Sequence, residues 1–154
     1  MAVHLKRAQL SDAEAMHRMQ VAAFMPLLKK YRDTAINPAC ESVQRVREKI
    51  ATSSYYFILL DGAAVGGIRV KLRADCEGHK GISPLFVLPE YQGKGIGQRA
   101  ILEAERLHGA HHWRLDTILE EPGNCHLYEK MGYHRVGGAQ RVRPNMTIID
   151  YEKD

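Results

Sequence analysis

Val87-Leu88-Pro89-Glu90-Tyr91-Gln92-Gly93-Lys94-Gly95-Ile96-Gly97-Gln98 is the stretch that decides how this chain folds. The run before it, Gly81–Leu88, reads as a strand. Behind it, Ile96, Ala100, Ile101, Ala104 and Leu107 fall on one side of a helix. The residues between them form a compact glycine-rich turn. Two phosphate-binding glycine patterns fail here. A phosphate loop needs Lys-Ser or Lys-Thr after its second glycine, and a dinucleotide fingerprint begun at Gly93 needs glycine where Gln98 stands. What is left is a strand, a turn and a helix start. Successive small residues let backbone N–H groups face an anion there, and the helix dipole adds about half a positive charge. A pyrophosphate is the natural guest. The same residues also read as a tight strand-to-helix turn with no ligand at all.

Working outward, Val3–Arg7 is predicted as a first strand, and Ser11-Asp12-Ala13-Glu14 matches a capping box before a helix carrying Met16, Met19 and Ala23. Pro26 is expected to interrupt or end that helix, and Lys29–Cys40 reads as a loop. Val43, Val46 and Ile50 stripe a second helix. Ser54–Leu60 is a strand, Asp61-Gly62 a hairpin turn with φ above zero at both positions, and Ile68, Val70 and Leu72 mark the return strand. Arg69, Lys71 and Arg73 share the other face of that strand, as a solvated face or as the lining of an acidic ligand's cleft. Ala74–Lys80 is a turn-rich break. Pro84 removes a ladder donor from the next strand and predicts a bulge there. Gly109 stops the helix that begins after the glycine turn. His112–Ile118 is a strand and Glu120–Gly123 a loop; Asn124 caps a short helix with Leu127, Tyr128 and Met131, and Gly132 ends it. Tyr133–Val136 and Met146–Tyr151 are the last strands. The order is β-α-α-β-β-β-α-β-α-β-β. It implies a single α/β domain over residues 1–154, with one mixed, mostly antiparallel central sheet flanked by helices.

Composition agrees with one globular domain: 45% hydrophobic and 26% charged residues. The net charge of +4 and pI near 9.0 favour an anionic partner without naming it. Cysteine is present at Cys40, Cys76 and Cys125 only, an odd count at wide spacings that fits a reducing cytoplasm rather than a disulfide framework. No apolar run approaches the roughly 20 residues a membrane span needs, so no membrane partner is expected. Few aromatics alternate with the basic residues, so no nucleic-acid partner is expected either. His108, His111, His112, Cys125 and His126, and Cys76-x-x-His79, lack the paired spacing of a zinc site, and no metal is expected.

Gln92-x-x-Gly95-x-Gly97, preceded by Val87-x-Pro89, resembles the acetyl-CoA signature of the GCN5-related N-acetyltransferases (GNAT). Asn124-Cys125-His126-Leu127-Tyr128-Glu129-Lys130-Met131-Gly132-Tyr133 resembles that family's N-x-x-x-Y-E-K-x-G-[F/Y] segment, and the order and spacing of the two also fit. The resemblance implies the acyl-CoA N-acyltransferase fold and an acetyl-CoA-dependent transfer to a primary amine, with a small molecule as acceptor. It implies that backbone N–H groups of Gln92, Gly93, Lys94, Gly95, Ile96, Gly97 and Gln98 cradle the coenzyme A pyrophosphate, with the Lys94 side chain as an added charge. It implies that Leu85, Phe86 and Val87 pair with the pantetheine arm, and that the N–H of Phe86 or Val87 polarises the thioester carbonyl. Asn124 would hydrogen-bond the pantetheine, Lys130 reach the 3′-phosphate, and Tyr128 protonate the departing thiolate. Folds of this kind are often homodimers, although no interface signature is legible.

The chain departs from the family on the strand before the glycine turn. Many members carry a glutamate there as the base, and Ser83 stands in its place. Asp33, Glu41, His79, Asp116 and Glu120 are the alternative bases or acceptor anchors, and the segment from Phe24 to Glu41 lies where the family builds its acceptor lid. The missing glutamate also motivates a second expectation, a catalytically weak acyl-CoA-binding sensor or regulatory module.

Overall fold

Aromatic and β-branched residues over Ser54–Leu60 (β2) and the stretch Ala63–Leu72 (β3) form an antiparallel hairpin. Its turn is Asp61-Gly62, with φ of 49° and 89°, as the sequence predicts. Val3–Arg7 (β1) lies against β2, and Lys80–Val87 (β4) against β3, both antiparallel. Trp113–Ile118 (β5), His134–Arg143 (β6) and Met146–Lys153 (β7) complete one seven-stranded sheet in the order β1-β2-β3-β4-β5-β7-β6. The computed structural model describes residues 2–73 and 78–154; Cys76 and most of the expected break at Ala74–Lys80 lie outside them.

Helices cover both faces. Ala13–Tyr31 (α1) and Val43–Thr52 (α2) pack on one, where Met16, Val46, Ile50, Tyr55, Phe57 and Phe86 form a core. Ile96–His108 (α3) and Pro122–Lys130 (α4) pack on the other, over Tyr56, Ile58, Ile68, Trp113, Leu115 and Tyr151. Successive residues of β2 thus serve opposite cores, as a pleated strand requires. No described helix is long and apolar enough to cross a membrane.

Local signals fail in four places. The expected Ser11–Glu14 capping box is displaced: the Asp12 carboxylate accepts from the Gln9 N–H at 2.8 Å, and a 3-10 turn over Leu10–Asp12 precedes α1. Pro26 does not end α1, which runs on to Tyr31 and takes the first residues of the expected loop. Its missing N–H costs one helical bond, but Tyr31 is 2% exposed and bonded to α4, and this distant anchor holds the last turn in place. Asn124 does not cap α4. Pro122 begins that helix inside the expected loop, with Glu121 at the cap position, so Asn124 lies within the first turn. β6 extends far beyond Val136, because Gly137 (φ 67°) and Gly138 are absorbed in an irregular stretch of the β6–β7 pairing instead of breaking the strand.

Buried tyrosines set the alkaline limit of stability. Burial raises the pKa of Tyr55, Tyr128 and Tyr133 above the ordinary tyrosine value. The unfolded chain ionises these groups near pH 10 while the folded chain keeps them neutral, so their contribution is intact below about pH 10 and is lost as pH rises further. The urea midpoint is expected to hold between pH 7 and 9 and to fall steeply above about pH 10. An unchanged midpoint at pH 11 contradicts this.

Candidate active site

β4 and β5 run parallel and share one register pair, Lys80↔Trp113. Past that point they part. Pro84 contributes to the divergence: the β3–β4 register jumps from Ile68↔Leu85 to Val70↔Ile82, the predicted bulge. The gap opens into a cleft of about 680 Å³. Leu85, Phe86 and Val87 form one wall, the turn and start of α3 a second, α4 a third, and Phe24, Pro26 and Leu27 of α1 cover it.

The amides of this wall can be sorted. Leu88 N–H donates to the Val65 carbonyl of β3 at 2.8 Å, so alternation sends the Phe86 amide to β3 as well and the Val87 amide toward the cleft. The Val87 carbonyl shares that side and accepts from the Gln92 side chain at 2.9 Å. Of the Phe86 and Val87 amides, that of Val87 is therefore the one that faces the cleft.

Gly93 and Gly95 have φ of 78° and 77°, a region other residues enter only with strain. The first hydrogen bond of α3 runs from the Arg99 N–H to the Gly95 carbonyl at 3.2 Å. The amides of Ile96, Gly97 and Gln98 precede it and have no acceptor inside the helix. Gly97 lines the cleft, and a Cβ added there would meet Leu127 at 3.6 Å. Glycine is costly inside a helix; here its gain is room for a ligand against the N–H groups. A helix N-terminus with open amides of this kind attracts an anion.

Tyr128 sits 8% exposed on α4, its ring 6.0 Å from those of Tyr133 and Tyr151. The hydroxyls of Tyr31, Tyr55, Tyr133 and Tyr151 donate to Glu121, Gln20, Glu105 and Glu129, and that of Tyr56 pairs with His108. The Tyr128 hydroxyl has no such partner among the described residues. Burial, then the nearby Asp116 and Cys125, raises its pKa and keeps it protonated.

The other expected residues divide clearly. Gln92, Gly93, Gly95, Ile96, Gly97, Gln98, Asn124 and Lys130 all line the cleft. Lys94 does not; its ammonium lies 5.7 Å over the Tyr91 ring. Ser83, Asp33, Glu41, His79, Asp116 and Glu120 are also outside the lining. Glu41 binds Lys49 and Gln20, His79 binds Glu152, and Glu120 accepts from the Thr147 backbone and hydroxyl at 2.7 and 2.8 Å. Among the described residues, the carboxylate on the cleft is Glu121, which sequence reasoning missed. It accepts from Lys30 Nζ and from the Tyr31 hydroxyl, each at 2.6 Å. Only its place directly before Pro122, a favoured first helix residue, hinted at a fixed position.

A sheet parted beside a glycine turn in this way is the architecture of the GNAT acetyltransferases. Residues 16–133 match the model of the acetyltransferase (GNAT) family, and the chain belongs to that family. Solved structures share the fold at low identity. The PaiA N-acetyltransferase from Thermoplasma acidophilum in complex with coenzyme A matches at 18% identity and TM-score 0.74 over 100% of both chains. Spermidine N-acetyltransferase from Vibrio cholerae, in complex with CoA and spermine, matches at 16% and 0.75, over 97% of this chain and 93% of that one. The ribosomal-protein-S18-alanine N-acetyltransferase from Escherichia coli matches at 16% and 0.71, over 97% and 92%. Among curated protein sequences, none matches.

Proposed function

We propose that this chain transfers the acetyl group of acetyl-CoA to the primary amine of a small molecule. The observation that carries this reading is the Tyr128 hydroxyl, without a hydrogen-bond partner among the described residues, on the same cleft as the open amides of Val87 and of residues 96–98. Acetyl-CoA supplies an acetyl thioester whose sulfur leaves as a thiolate. The amides of 96–98 hold the diphosphate, Val87 N–H meets the developing negative charge on the thioester oxygen, and Asn124 and Lys130 bind along the arm. Tyr128 gives its proton to the sulfur.

Glu121 anchors the acceptor. Its carboxylate already holds one primary ammonium, that of Lys30, and the buried Tyr31 hydroxyl keeps it in place. An acceptor ammonium takes the place of Lys30 and then passes its proton to the carboxylate or to water. A spermine-bound neighbour of the same fold supports a cationic acceptor.

A panel of primary amines with acetyl-CoA, read by thiol release, tests this. Glu121→Gln is expected to raise the KM of the best amine about tenfold or more, the worth of a charge-assisted hydrogen bond, with the KM of acetyl-CoA little changed. Lys30→Met is expected to lower the amine KM. Coenzyme binding with no turnover on any amine favours the sensor reading instead, which draws on the absence of a free carboxylate on the cleft among the described residues. Failure to bind acetyl-CoA at millimolar concentration refutes both.

A further inference from the structure

A second cavity, of about 390 Å³, lies toward the other end of β4. Thr52 and Ser53 at the end of α2, Arg69 and Lys71 on β3, Lys80 at the start of β4 and His108 at the end of α3 contribute to it. Among the described residues, no carboxylate is part of its lining.

Arg69 is 8% exposed. Arginine is almost never buried this deeply without an anionic partner, because removing the charge from water costs several kcal/mol. Here Nε donates to the Ser53 hydroxyl at 2.7 Å and Nη1 to the Ser83 carbonyl at 2.8 Å, both neutral acceptors. Nη2 has no hydrogen-bond partner among the described residues, and no described carboxylate forms an ion pair with Arg69 or Lys71. Two carboxylates act on them from a distance: Glu41 on Arg69, itself bonded to Lys49 and Gln20, and Asp116 on Lys71. Lys80 donates to the His111 carbonyl at 3.0 Å and lies 5.0 Å over the Trp113 ring, and the His108 ring is bonded to the Tyr56 hydroxyl. The face that reads in sequence as solvated or as the lining of an acidic ligand's cleft is thus, at Arg69, a largely buried guanidinium on a cavity lined, among the described residues, by no carboxylate.

We infer that this cavity binds a phosphoryl group, free or carried by a small phosphate ester. The Arg69 guanidinium edge and the Lys71 ammonium come from β3 and the Lys80 ammonium from β4, while the hydroxyl protons of Thr52 and Ser53 are already given to the Glu48 and Lys49 carbonyls. A tetrahedral oxyanion presents oxygens in enough directions to meet these cations, where a carboxylate presents two. The pKa of Lys71 is lowered first by burial and then by Arg69 and Arg73, which outweigh the opposing Asp116, as suits a cationic pocket. The inference does not rest on the reading of the large cleft, whose glycine turn borders none of these residues.

The test is calorimetric titration and thermal unfolding of the whole protein with inorganic phosphate, and separately with ribose 5-phosphate, at ionic strength held constant with chloride. Saturable binding and a concentration-dependent rise in Tm are expected with at least one of the two. Tenfold tighter binding of the ester identifies an ester as the ligand, and equal binding identifies free phosphate. Lys71→Met keeps the half-buried stem and removes the charge; it is expected to weaken binding about tenfold. Arg69→Lys keeps the charge but loses the planar fork and is expected to weaken it further. If Arg69→Lys does not fold, Lys71→Met decides alone. Absence of saturable binding, or binding that survives Lys71→Met unchanged, overturns the site.

Discussion

Tyr128→Phe is expected to lower kcat about a hundredfold or more while leaving the KM of acetyl-CoA within about twofold, the loss assigned to a positioned general acid. The substitution is a clean one. The ring stays packed against Tyr133 and Tyr151, and the hydroxyl it removes has no hydrogen-bond partner among the described residues. Folding stability is therefore expected to stay level, since no protein hydrogen bond among the described residues is broken. Tyr133→Phe is the control. That hydroxyl donates to Glu105 at 3.0 Å, so its loss should reduce stability by about 1 kcal/mol and leave turnover largely intact. The pH profile separates acid catalysis from packing. Because the Tyr128 pKa is raised, wild-type kcat should show no alkaline loss attributable to this group up to about pH 10. Unchanged kcat in Tyr128→Phe, or equal losses in kcat and coenzyme affinity, removes the acid role.

What the sequence made legible was local. Asp61-Gly62, Gly95 before α3, Gly109 after it and Gly132 after α4 each adopt positive φ, and each bounds an element where its chemistry says it should. The cleft follows from the same signals, since a strand, a glycine turn and a helix start place their own amides. Lys94 escaped because a flexible side chain has a choice, and the face of Tyr91, three residues earlier, takes it. The larger omissions join residues far apart in the chain. Tyr31 and Glu121 meet across 90 positions, and that contact explains both the continuation of α1 past Pro26 and the carboxylate at the cleft. Arg69 alternates with apolar residues like any outward-facing side chain. Its burial depends on Ser53 and on the Ser83 carbonyl, which the bulge at Pro84 brings beneath it.

Gly66→Ala is the most destructive single-methyl substitution expected in this chain. Gly66 lies opposite Val87, beside the irregularity that separates Ile58↔Gly66 from Leu59↔Ala64 in the β2–β3 pairing. A Cβ at position 66 would stand 2.2 Å from the Phe86 carbonyl oxygen and 3.1 Å from both the Phe86 carbonyl carbon and the Val87 Cα. All three are backbone atoms, so no side chain can turn away to make room. β3 and β4 must move apart, and the strand that moves carries the Val87 amide and the cleft wall. The cost is expected to reach about 3 kcal/mol or more, at the upper end for overpacking. Urea denaturation measures it, and coenzyme A affinity should fall with it even in the folded fraction, because the Val87 edge is displaced. Gly138→Ala is the comparison: nothing lies within 4 Å of its Cβ position, and stability should change by less than about 0.5 kcal/mol. If Gly66→Ala is as stable as Gly138→Ala and binds coenzyme A as the wild type does, β3 and β4 do not approach as closely as the structure places them, and the assignment of Val87 as the thioester donor fails with that geometry.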